Sequence, residues 1–161
     1  MEIWKDIKGY EGKYQVSNSG NVKSLGRFVK ANAPNQTTKF IKERILKSCI
    51  CINGYKRVTL EGKKHHIHVL VGNAFHKKPS KNHIINHKNS KKLDNRETNI
   101  EWVTYSENLI HAYKNKTNTS CHFVKYEGVE YYSKTEMRRQ LKISGRKQNK
   151  MIENGLIQVL K

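Results

Sequence analysis

Apolar residues in this chain fall in short clusters broken by polar turns, and the clearest clusters frame one polar loop. Ile84 to Asn86 is a short apolar strand, Lys88 to Asn99 is the loop, and Ile100 to Val103 is a second strand anchored by Trp102. A helix follows at once: Thr104 and Glu107 make a capping box, and Leu109, Ala112 and Tyr113 recur at helical spacing. Upstream, Tyr14 to Val16 and Val22 to Leu25 predict a hairpin around the Asn, Ser and Gly of residues Ser17 to Asn21. Arg27 to Thr38 has no periodicity and predicts a mobile loop and a candidate boundary. Three strands are then expected, at Ile45 to Ile52, Tyr55 to Leu60 and His65 to Ile67, with Asn53-Gly54 as the strongest turn signal. His68 to His76 predicts a helix packed against the strand, loop, strand and helix unit, ended by Lys77-Lys78-Pro79-Ser80.

After Lys114 to Ser120, a polar linker, the pattern resumes. Phe123 to Tyr132 predicts two short strands around Glu127-Gly128, and Ser133 with Glu136 caps a helix whose Met137 and Leu141 are four apart. A turn at Ile143-Ser144-Gly145 leads to a second helix, Arg146 to Glu153, with Met151 and Ile152 inward and Asn154-Gly155 as its stop.

Charge sharpens this picture. Lys and Arg number 32 against 13 Asp and Glu, a formal net charge of +19 with pI near 9.9, spread along all 161 residues. Such a chain is built to bind a polyanion over a long surface, and its length predicts an extended molecule of small modules. A ribosomal or RNA-binding protein shares this balance, but the aromatic RNP pattern and the GXXG loop of common RNA modules are missing. Cys49, Cys51 and Cys121 form no CxxC pair, which excludes a disulfide framework or a zinc site of four cysteines and fits a reducing cytosol. Cys49 and Cys51 are expected as small buried strand residues, and His65, His66 and His68 as strand decoration rather than metal ligands. No run of about 18 apolar residues and no signal peptide occurs, so no membrane role is expected.

The chemistry concentrates on the polar loop. Asn86 and His87 leave the first strand and Asn108 lies early in the helix, so two amide oxygens can converge on a hard divalent cation while a neutral imidazole takes a proton from water. Asn99 can hold that imidazole in one orientation. Asn86-His87, Leu93-Asp94-Asn95, Asn99-Ile100-Glu101-Trp102-Val103-Thr104 and Ser106-Glu107-Asn108 together resemble the ββα-metal motif of the HNH homing endonucleases of phages and group I introns. The resemblance implies that His87 is the general base, that Asn99 orients the loop and base, and that Asn108 shares a metal with Asn86. Some members carry Asp where this chain has Asn86, and their acidic turn is here Asn89-Ser90-Lys91.

The opening residues 2 to 25 resemble the module that precedes the HNH unit in that family, which makes Lys13, Lys23 and Arg27 candidate DNA contacts; otherwise they form a solvated basic face. Lys56 and Arg57 on the meander are positioned for phosphates or guanine edges if the ribbon enters a major groove, and are ordinary sheet decoration if not. The C-terminal helices resemble an appended helix-turn-helix, presenting Arg146, Lys147, Asn149 and Lys150; the alternative is a helical pair that only packs.

The sequence therefore predicts an α+β protein: a β-rich DNA-contact module at 1–60, a central HNH unit at 61–115 and a helix-turn-helix at 121–161. The expected function is site-specific hydrolysis of DNA phosphodiester bonds by a monomer that nicks double-stranded DNA, using Mg2+ or Mn2+ and no zinc, in the cytoplasm of a bacterial host, from a phage or intron gene. By resemblance the products carry 5′-phosphate and 3′-hydroxyl ends. The alternative is a DNA-binding regulator that keeps the scaffold without catalysis.

Overall fold

The computed structural model describes residues 1–30, 37–115 and 123–160. They form two compact units, Met1–Tyr105 and Ser106–Lys161.

The first unit starts with β1 (Trp4–Asp6), β2 (Tyr14–Ser17) and β3 (Val22–Ser24), in which β2 and β3 form the expected hairpin. Burial alternates with period two: Tyr14, Val16, Val22 and Ser24 face inward. The stretch expected as a mobile loop, Arg27 to Thr38, instead begins with β4 (Arg27–Lys30) and reaches the first residue of β5 (Thr38–Ile41); the two strands pair antiparallel with Phe28 opposite Phe40. Two aromatics and three β-branched residues suit a ladder, and no local periodicity over four residues could show it. The chain then returns through β6 (Arg44–Ile45), which pairs with β3 to complete a sheet of order β1-β2-β3-β6.

The single strand expected over Ile45 to Ile52 is thus divided. Its second part, β7 (Cys49–Ile50), pairs with β8 (Lys56–Leu60), and β8 pairs with β9 (Lys63–His66). Gly54, at φ +79°, makes the turn between β7 and β8. Cys49 is exposed and Cys51 half-buried, a correction to their expected burial: β7 is a two-residue edge strand with both residues exposed, and Cys49 Sγ meets Arg57 Nε at 3.4 Å.

β9 runs directly into α1 (Ile67–Phe75), so the last residue of the expected third strand already belongs to the helix. Gly72 lets α1 approach β10 (His83–His87) closely: a Cβ there would overlap Ile85 Cδ1. Trp102, on β11 (Ile100–Thr104), donates its Nε1–H to Gly72 O at 3.3 Å. β10 and β11 pair antiparallel, with Asn86 opposite Glu101 and His87 opposite Ile100.

One core joins these pieces. Val16, Val22, Val58, Leu60, Ile67, Val71 and Ile100 are each at most 2% exposed and lie in one cluster, so the boundary expected at residue 60 falls inside a packed core. Truncating Leu60 or Ile100 to Ala should cost about 2–5 kcal/mol.

The second unit holds α2 (Tyr105–Lys114) from its second residue on, β12 (Phe123–Tyr126), β13 (Val129–Tyr131), α3 (Lys134–Leu141), α4 (Gly145–Glu153) and β14 (Ile157–Leu160). Ser133 Oγ accepts from Glu136 N at 3.1 Å, so the expected cap forms, and Ser144 caps α4 in the same way through Lys147 N. Lys142, at φ +53°, ends α3 in the left-handed conformation. Met137 and Val124 are fully buried, with Tyr131 and Ile157 beside them. β14 has no counterpart among the expected elements and completes a sheet of order β13-β12-β14. Gln148, 2% exposed on α4, donates to Lys134 O at 2.7 Å and ties the two helices together. The expected linker beyond Asn115, and Cys121, lie outside the described residues. Among the described residues no helix is long and apolar enough to cross a membrane.

Candidate active site

β10 ends at His87 and β11 begins at Ile100, directly across the ladder, so the intervening loop must close over the strand ends. It does so through amides. Lys88 N donates to Asn99 O at 2.9 Å, Asn89 N donates to Asn99 Oδ1 at 3.0 Å, and Asn99 Nδ2 donates to Asp94 O at 2.7 Å. Asn99 therefore grips the loop backbone at both ends, and the hydrogen bond to the imidazole comes from a different residue: Asn95 Oδ1, 3.2 Å from His87 Nε2. Asn95 Nδ2 points at Leu93 O, 3.5 Å away, which leaves Oδ1 for the ring. Nε2 then carries the hydrogen, and Nδ1 of neutral His87 keeps its lone pair.

Asn95 is itself placed from a distance. Gly20, at φ +83° in the turn between β2 and β3, lies so close that a Cβ there would be 2.9 Å from Asn95 Cβ. Glu97 N donates to Asn18 O at 2.8 Å, docking the loop on the same turn. Arg96 binds Asp94 through two bonds of 2.8 Å and, aided by Asn89, holds that carboxyl far below its ordinary range.

His87 is 6% exposed and lies among rings: Tyr55 at 5.9 Å and His68 at 5.2 Å between centroids. Burial is the main influence on it and pushes its pKa below the usual 6.5, against the opposing pull of the Asn95 bond and the Asp94 charge. His68 is driven further, to about 4, by burial and then by His87 and His66; its Nδ1 is buried without a hydrogen-bond partner. Lys92 anchors the loop to the β7–β8 turn, donating to Asn53 O at 3.2 Å with its Nζ 5.0 Å from the Tyr55 ring centre. Both imidazoles are thus neutral at pH 7, and one of them can accept a proton.

Asn86, 7% exposed, donates Nδ2 to Glu101 Oε1 at 2.8 Å. A carboxylate only accepts, so the amide orientation is settled and Oδ1 is turned away from Glu101 as an acceptor. That donor set suits a hard oxygen-seeking cation, with Glu101 adding charge behind a neutral ligand. Among the described residues no group of three or more His, Cys, Asp or Glu is placed to hold a metal. Asn108 is half-buried on α2, in the second unit.

The candidate DNA contacts are placed unequally. Lys13 pairs with Glu61 at 2.8 Å, and Lys23 pairs with Glu43 at 3.3 Å and lies over the Trp4 ring. Arg27 donates to Lys13 O, Ser24 Oγ, Leu25 O and Tyr14 OH, so its guanidinium anchors β4 to the sheet. Lys56 and Arg57 are half-buried on β8, and Arg57 joins Arg44 and Lys47 around a cleft of about 460 Å³. Arg146, Lys147, Asn149 and Lys150 are all exposed on α4.

The chain is similar to known proteins. The NUMOD4 motif model matches residues 2–61. The DNA endonuclease I-HmuI of Bacillus phage SP01 is 37% identical over 110 residues, covering 66% of this chain and 55% of the relative. An uncharacterised HNH endonuclease of Acanthamoeba polyphaga mimivirus is 38% identical over 125 residues, 73% of this chain and 28% of the relative. A solved structure of the HNH homing endonuclease I-HmuI, described for DNA binding and cleavage, superposes over 98% of both chains with 27% identity and a TM-score of 0.56. By these matches the chain is similar to HNH endonucleases. It spans about half the length of I-HmuI and under a third of the mimivirus relatives.

At this site, sequence reasoning left four residues without a role. Asn95 lies inside the matched triplet Leu93-Asp94-Asn95, so a signal was present without an assignment. Glu101 follows from the register once β10 and β11 are paired. Tyr55 and Gly20 come from distant turns, and no local pattern points from either of them to His87.

Proposed function

We propose that this chain is a metal-dependent endonuclease that hydrolyses phosphodiester bonds of double-stranded DNA, as a monomer that nicks one strand, in the cytoplasm of a bacterial host. The observation that carries the reading is His87: a buried, neutral imidazole at the mouth of an amide-braced loop, with Nδ1 open to a proton. His87 takes the proton of a water molecule, the new hydroxide attacks phosphorus in line, and the 3′-oxygen leaves with the electrons of the broken P–O bond. Asn95 holds the ring in one tautomer during this step, and Asn99 keeps the loop closed beneath it. Asn86 and Asn108 are the proposed ligands of Mg2+ or Mn2+, and Glu101 is a positioning residue that orients Asn86. What such an ion supplies when bound is charge stabilisation of the scissile phosphate and of the departing oxygen.

Duplex binding is assigned to the exposed cations of α4 and to Arg57 with its neighbouring cleft. One His87 and one Asn86 in the chain support one cut per encounter, and three different contact modules suit an asymmetric site. Supercoiled plasmid from a random-site library, incubated with the chain and Mg2+, should turn to open circles, with linear DNA appearing late. Linear product formed as fast as open circles, second order in protein, would overturn the nicking monomer. Tight binding without any cleavage, in Mg2+ or Mn2+, would favour the non-catalytic regulator.

A further inference from the structure

β4 and β5 leave the four-stranded sheet after β3 and return to it at β6, and among the described residues they pair only with each other. One face of this two-stranded ribbon bears Phe28 and Phe40, opposite in register, with ring centroids 5.1 Å apart and planes at 59°. They are 71% and 51% exposed, although Phe is among the residues most often buried. The root of the ribbon is held still. Arg27 bonds to the sheet through four acceptors, and Gly26 makes room for Phe40, whose Cζ would lie 3.2 Å from a Cβ placed there. A cross-strand aromatic pair helps a lone hairpin to form, but that does not explain the charge around it. From Arg27 to Lys47 six cations accompany one carboxylate, Glu43. Lys30, Lys39 and Lys42 are exposed, and none is in an ion pair among the described residues.

A rigid basic ribbon with an apolar face fits one surface well. The major groove of duplex DNA admits a two-stranded ribbon, its phosphates answer the lysines, and the one apolar group its base edges present is the C5-methyl of thymine. We infer that the β4–β5 ribbon enters the major groove and that Phe28 and Phe40 pack on thymine methyls, so that this pair reads thymine within the recognised site. The inference rests on the proposed DNA reading and deepens it.

The test perturbs the DNA, so protein folding does not enter. Duplexes are selected from a random pool with the full chain, and the selected thymines are replaced one at a time by uracil, which deletes only the methyl. Wild-type chain should lose about five- to tenfold in affinity at one or two thymines, while Phe28→Ala/Phe40→Ala, already weaker there, should not distinguish thymine from uracil. Equal losses for both proteins, no loss for the wild type, or a selected site without an enriched thymine would each overturn the inference. Salt-dependent binding of unselected duplex is measured in parallel. Its absence would fail the DNA reading itself, a result distinct from duplex binding that ignores the methyl.

Discussion

Around His87 and along α4 the chain handles polarity in opposite ways. Near His87 the polar groups are mostly amides, buried and bonded to backbone, and the histidines are kept neutral. On α4 the cations Arg146, Lys147 and Lys150 stand in solvent. Buried neutral groups hold geometry and are little affected by salt, whereas solvated charges give affinity that salt screens. Cleaving and binding should therefore be separable functions of separate residues.

The largest break in that comparison is His87→Ala. Single-turnover cleavage should fall by about 10² to 10⁴ while duplex affinity stays within a few fold; parallel losses in both would mean that His87 holds DNA rather than water. Glu101→Gln and Asn108→Ala come next. Each should raise the Mg2+ concentration needed for half-maximal cleavage by about 10- to 100-fold, and direct Mn2+ binding should shift in step, whereas Asn86→Asp should tighten it. If no substitution moves the metal requirement, the ligand pair is wrong.

On the binding side, changing Arg146, Lys147 and Lys150 together to Gln should flatten the dependence of log affinity on log salt by about 0.9 per lost phosphate contact, with the cleavage rate at saturating protein unchanged. A matching fall in that rate would show that α4 acts in the chemistry.

The smallest effect belongs to His68. Its folded pKa, about 4, lies below the unfolded 6.5, so the unfolded chain binds the proton first. The stability it contributes is complete above pH 6.5 and is lost as pH falls toward about 4, amounting to about 1 kcal/mol by pH 5.5. Urea midpoints of wild type should drop over that window, and those of His68→Phe should drop less.

What was legible in the sequence follows the range of each interaction. Strands β10 and β11 and the two capped helices of the second unit were readable because caps, turns and helical spacing act within a few residues. β4 falls in the stretch expected as a loop because it is only four residues long and its partner, β5, lies across an Asn- and Pro-containing stretch. β14 pairs with β12 some thirty residues earlier, and nothing in Ile157–Leu160 states that partner. At the site, His87, Asn86 and Asn99 were legible as members of a spaced motif. That Asn95 holds the ring while Asn99 holds the loop depends on Gly20 and Asn18 in a distant turn, and tertiary packing alone decides it.

In the proposed mechanism a buried His87, neutral because burial disfavours its charge, is the base. The most direct measurement is the single-turnover cleavage rate from pH 4.5 to 8 at saturating Mg2+, for wild type and His87→Ala. The rate should rise with pH through one group titrating below 6.5, level off before neutrality, and lose that limb in His87→Ala. A limb centred at or above 6.5, or one that persists without His87, would contradict that mechanism.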